Sequence, residues 1–145
     1  MSKFFMDMIS LKVWQNLSLS LSLSLDSASI LNRIKEGYLL WVKIMPHLEK
    51  GKRYTIGTRI ENKLLDLLEL GYIAYFTEKD KKEEKLSECI LLLDTIKFLT
   101  FVAWEGKLMA NNHYEEIALK LDEIGKMFGG WKKSLANPEK KNRTW

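Results

Sequence analysis

The chain has 145 residues, of which 46% are hydrophobic, so it suffices for one domain with a substantial core. Its single cysteine, Cys89, excludes an intrachain disulfide and suits a reducing, cytoplasmic setting. The net charge is only +4, and no run of ~18 uncharged apolar residues exists to span a membrane.

The positive charge is unevenly spread. Residues 33–63 hold eight cations (Arg33, Lys35, Lys43, Lys50, Lys52, Arg53, Arg59, Lys63) against three carboxylates (Glu36, Glu49, Glu61). Residues 126–145 hold six (Lys126, Lys132, Lys133, Lys140, Lys141, Arg143) against Glu139 alone. Such asymmetry points to an anionic partner, nucleic acid above all. A charge kept for solubility is the plain alternative.

Residues 1–28 stand apart from the rest. Leu17 to Leu25 alternates leucine and serine with a period of two. Read literally, that is an amphipathic strand, but no second strand is in view to pair with it. A signal peptide would need a continuous apolar stretch and a small-residue cleavage site. The expectation is a low-complexity leader, disordered or loosely ordered.

Beyond it only Pro46 and Pro138 interrupt the chain, which favours long helices. From Ala28 to Met45, the residues Ile30, Leu31, Ile34, Tyr38, Trp41, Val42 and Met45 recur at helical spacing, and Pro46 ends the run. A short basic connection, His47 to Arg53, follows. Thr58 and Glu61 suggest a capping box for a second helix, whose start could also lie nearer Tyr54. That helix runs to about Thr77, with Ile56, Ile60, Leu64, Leu67, Leu68 and Tyr75 along one side.

The charged stretch Glu78 to Lys85 reads as a hinge before a third helix, which extends to about Lys107. This helix is apolar nearly all round, from Leu86 and Cys89 through Ile96, Phe98 and Phe101 to Trp104. Burial on several faces, and hence a partner subunit, is the expectation. Asn111 and Asn112 are candidate caps for a fourth helix. Its residues Ile117, Leu121, Ile124, Phe128, Trp131 and Leu135 follow a 4-3-4-3-4 rhythm, a packing seam. Four long helices with short connections predict an all-α, antiparallel up-and-down four-helix bundle over residues 29–135, followed by a basic tail, 136–145.

Two groups of cations are candidate phosphate contacts: Lys50, Lys52, Arg53, Arg59 and Lys63, and Lys126, Lys132 and Lys133. Arg59 and Lys63 lie four apart, on one helix face. The bland reading is a solvated surface, and the helix dipole alone would favour Lys132 and Lys133 near a C-terminus. Glycine costs roughly 0.8–1 kcal/mol in a helix interior, so Gly57, Gly125, Gly129 and Gly130 suggest close helix crossings or, for the last three, a frayed end. Trp41, Trp104, Trp131, Tyr38 and Tyr54 are expected as packing residues rather than base-stacking ones. His47 and His113 lie far apart without metal spacing, and Cys89 sits in an apolar run as an inert thiol. With no nucleophile, base and orienter together, no catalytic, cofactor or metal site is expected, and no enzymatic activity.

The run Arg53-Tyr54-Thr55-Ile56-Gly57-Thr58-Arg59-Ile60-Glu61, the stretch Leu64 to Leu70, Ala103-Trp104-Glu105, and Leu121-Asp122-Glu123-Ile124-Gly125-Lys126-Met127-Phe128-Gly129-Gly130-Trp131 together resemble Avd. Avd is the accessory variability determinant of diversity-generating retroelements, and the resemblance covers roughly residues 30–135. It implies a four-helix bundle assembled as a homopentameric barrel. It further implies a basic surface that binds the element's reverse transcriptase and template RNA, with no catalysis of its own. Phe101 departs from the pattern, standing where relatives carry polar or basic residues. Two alternatives stay open: a bundle of the kind encoded by intervening sequences of ribosomal RNA genes, and a helical protein-interaction module that binds no nucleic acid.

Overall fold

A computed structural model describes residues 29–136; the leader 1–28 and the tail from 137 onward lie outside the described residues. Four α-helices make up the molecule: α1 (Ser29–Ile44), α2 (Thr58–Phe76), α3 (Lys79–Glu105) and α4 (Asn111–Ala136), and no strand occurs among the described residues. Each helix packs on its neighbours in sequence, and α4 closes the ring on α1. This is the antiparallel up-and-down bundle that the periodicity predicts.

The seam residues of α4 face inward as their spacing requires: Ile117, Leu121, Ile124 and Phe128 are fully buried. They meet Ile30, Leu31, Ile34 and Trp41 of α1, Ile60, Leu64 and Leu67 of α2, and Leu86, Leu93 and Ile96 of α3 in one continuous core. Burying each such side chain contributes about 1.5–3 kcal/mol. Helices α1 and α2 approach closely at Gly71, where an added Cβ would meet Ile34 Cδ1 at 3.1 Å and Leu31 Cδ2 at 3.2 Å.

Helix α1 ends where proline requires. Pro46 cannot donate to the α-helical ladder, and Met45–His47 tighten into a 3₁₀ turn. The charged stretch 78–85 is not a hinge. Only Thr77 and Glu78 separate α2 from α3, and the charges form the first turns of α3. There Lys82 Nζ donates to the carbonyl of Tyr75 at 2.9 Å and lies 5.7 Å from the centre of the Trp131 ring.

Across α1 and α4, Arg33 pairs with Glu123 at 3.0 Å and Lys120 with Glu36 at 3.2 Å. The hydrogen bonds from Lys120 and Arg33 hold the Glu36 carboxyl below its ordinary range. Their contribution is therefore present above the ordinary carboxylate value and fades as pH falls through the depressed one. Burial pushes the Cys89 thiol up to about 12, which leaves it protonated and unreactive at neutral pH.

One face of α3 stays uncovered. Its inner stripe, Leu86, Cys89, Leu93, Ile96 and Ala103, is buried, while Leu91, Phe98, Phe101 and Val102 on the other side are 69%, 63%, 40% and 40% exposed. Within one chain the third helix is thus buried on one side only. Among the described residues no helix is long and apolar enough to cross a membrane.

Candidate nucleic-acid interface

The α1–α2 connection and the α3–α4 connection lie at the same end of an up-and-down bundle, and here they touch. The Glu49 amide donates to the Leu108 carbonyl at 3.1 Å, and the rings of His47 and His113 stack at 4.9 Å. The two histidines, far apart in sequence, therefore form a pair. Among the described residues no group of three metal-ligating side chains accompanies them.

Between Leu48 and α2 the backbone makes an unusual structure. Arg53–Gly57 forms a turn of π-helix that runs directly into α2. Several hydrogen bonds fix it. The Gly57 amide donates to Lys52 O at 3.1 Å, Arg53 Nε to Leu48 O at 3.1 Å, and Thr58 Oγ1 to Arg53 O at 2.9 Å. From the core, the buried Trp41 indole donates to Gly57 O at 3.0 Å. A Cβ at Gly57 would meet Leu48 Cδ1 at 3.1 Å, so a larger residue here would displace Leu48 by a few tenths of an ångström.

The capping box does not form. Helical backbone already precedes Thr58, so its hydroxyl returns to Arg53 rather than capping a helix start. Asn111 is likewise no cap: its Oδ1 accepts the Trp104 indole N–H at 2.7 Å, while the Tyr114 amide bonds Ala110 O.

Of the first group of cations, Lys50, Lys52 and Arg59 are exposed, Lys63 is half-buried, and Arg53 spends its Nε on the turn itself. None of the five forms an ion pair with a carboxylate of the described residues, in contrast to Arg33, Lys85, Lys97 and Lys120. An open cleft of about 730 Å³ runs beside the turn. Lys52, Tyr54, Arg59 and Asn62 line it on one side, Leu99 and Leu108 of α3 and its following loop on the other, and no carboxylate lines it.

The second group lies elsewhere. Lys126, Lys132 and Lys133 belong to the distal part of α4, which packs on α1 and α3 and stands diagonal to α2. Lying 15 to 22 residues beyond Asn111 on α4, they stand roughly 23–33 Å along the helix from the loops at 1.5 Å per residue. The structure does not bring the two groups together. Gly125 makes a close crossing, with Lys97 Nζ 3.1 Å from an added Cβ, but Gly129 and Gly130 meet nothing within 4 Å. The latter two are not helix-crossing points. A tighter groove of about 460 Å³ between α1 and α2, lined by Leu31, Leu68, Tyr72 and Ile73, is chiefly apolar and lies away from the turn.

Two residues escape the sequence reading. Tyr54 is not a packing residue: it is 84% exposed, in the middle of the basic turn. Lys107 has φ 61°, the left-handed region. It ends α3 where glycine usually would, with Lys107 N bonding Trp104 O and Leu108 N bonding Ala103 O, both at 2.9 Å. Gly106 signals a helix end there, but one residue too early to relieve the strain.

A basic edge of this kind can hold phosphates. The bAvd-like family model matches residues 30–135 of the chain, nearly the whole described bundle. The chain belongs to the bAvd-like family. No curated protein and no solved structure matches it. Membership in the bAvd-like family assigns an accessory role of the Avd kind, at the level of the family.

Lys107 offers a direct check on the geometry. Replacing it with glycine removes a left-handed penalty of about 1 kcal/mol. The Lys107→Gly variant is expected to unfold at higher urea concentration than the parent, with an unchanged m-value.

Proposed function

We propose that this chain is the non-enzymatic accessory protein of a diversity-generating retroelement, and that it binds template RNA through the loop end of the bundle. The observation that carries this reading is the set of cations without ion pairs at the loop end, Lys50, Lys52, Arg59 and Lys63, of which Lys52 and Arg59 line a cleft that no carboxylate lines. The carboxylates Glu115 and Glu116 stand on α4, across the bundle diagonal from α2. Phosphates meeting such an edge release counterions, so binding would be electrostatic and largely independent of sequence. The reverse transcriptase is the partner that the family resemblance supplies. Cations on the distal part of α4, Lys126, Lys132 and Lys133, form a separate surface, available to that enzyme or to a second stretch of RNA.

Self-association into a barrel, a pentamer by the same resemblance, would use the outer face of α3. Leu91, Phe98, Phe101 and Val102 form one stripe there, and exposure to water is costly for all four. The substitutions Leu91→Glu and Phe98→Glu together are expected to reduce the mass measured by light scattering to that of one 17.0 kDa chain. A parent protein that is already monomeric would contradict the assembly.

RNA binding is tested through its salt dependence. Removing one phosphate-neutralising cation flattens the slope of log K against log salt by about 0.7 for a single strand. Replacing Lys52, Arg59 and Lys107 with alanine together should therefore make the slope shallower by about 2. An unchanged slope and affinity would remove the loop end from the reading, whichever partner the family resemblance names.

A further inference from the structure

We infer that Tyr54 is a stacking platform for an unpaired base, so that the loop end prefers single-stranded RNA over duplex. This rests on the RNA-binding reading above and assigns a residue and a strand state to it. Tyr54 is 84% exposed although it lies in a connection fixed by several hydrogen bonds. Its turn is held by the Gly57 amide, the Arg53 guanidinium, the Thr58 hydroxyl and the Trp41 indole. Holding that backbone does nothing to bury the ring. A tyrosine carries only two side-chain torsions, and a rigid base beneath it lowers the ordering cost of binding.

The surroundings fit a nucleotide. Lys52 and Arg59 line the same cleft as Tyr54, and Asn62 adds a donor and an acceptor. On the opposite side Leu99 and Leu108 supply an apolar wall. A phosphate on the cations and a base on the phenol ring are the two halves of single-strand recognition. A duplex would keep its bases stacked on each other and leave the ring without a partner.

The test measures fluorescence anisotropy of the full-length protein with three probes of equal length: oligouridine, the same backbone without bases, and an RNA duplex. Tyr54→Ala should weaken oligouridine binding by about fivefold to a hundredfold. Its salt slope should stay that of the parent, because the substitution leaves every cation in place. Tyr54→Phe should bind as the parent does, since a phenyl ring stacks equally. The base-free backbone and the duplex should not distinguish Tyr54→Ala from the parent. Circular dichroism should show both variants folded, as the exposed ring supports no packing.

Equal oligouridine affinity of Tyr54→Ala and the parent would overturn the inference while leaving the cationic edge standing. Equal losses on oligouridine and on the base-free backbone would also overturn it, assigning the effect to the turn and not to stacking. A parent protein that binds none of the probes would overturn both this inference and the RNA-binding reading beneath it.

Discussion

The hydrogen bond from the buried Trp41 indole to the carbonyl of Gly57 ties the loop end to the bundle. It crosses from the middle of the core to the π-helical turn, and it pairs the fully buried indole N–H, which left unpaired would cost about 1–3 kcal/mol. Gly57 makes room for Leu48 beneath the turn, and Leu48 anchors the connection from α1. The result is a fixed segment in which Ile56 packs on the core and Arg53 turns back to Leu48, while Tyr54 is left exposed. Lys52, Tyr54 and Arg59 then stand at defined positions instead of on a loose loop. Function follows from a rigid backbone presenting groups that the fold itself does not use.

Charge in the molecule falls into two regimes. Between α1 and α4, and between α3 and α4, cations are matched by carboxylates: Arg33, Lys97 and Lys120 each find one within 3.2 Å. These partly exposed pairs are worth about 0–1 kcal/mol each, and they leave little field for a polyanion. Around the α1–α2 connection the cations find no such partners among the described residues, and neither do Lys126, Lys132 and Lys133 on α4. The uncovered stripe of α3 adds a third, apolar surface on a different side. Three kinds of surface on one small bundle suit the proposed role, in which the chain would hold itself, a nucleic acid and an enzyme together.

Much of this was legible in the residues. The 4-3-4-3-4 seam of α4 and the stop at Pro46 mark helices because burial and ring geometry act locally. The cations at 50–63 were also visible as a group. What escaped depends on tertiary contact. Thr58 looks like a cap in sequence, but helical backbone begins at the other start the residues offer, nearer Tyr54, and the pairing of His47 with His113 needs two distant loops to meet. Tyr54 carries the same composition signal as Tyr38, yet one is 84% exposed and the other packs on the core. Gly125 and Gly129 lie four apart on one helix face and so read as crossings, whereas Gly129 and its neighbour Gly130 face open space.

Photo-crosslinking of the full-length protein to a single-stranded RNA containing 4-thiouridine, with the adducts located by mass spectrometry, tests the central claim most directly. Adducts are expected to concentrate in the segment from Lys50 to Lys63 and at the loop from Gly106 to Ala110. Adducts gathered on the distal part of α4 around Lys132, or spread evenly over the chain, would contradict it.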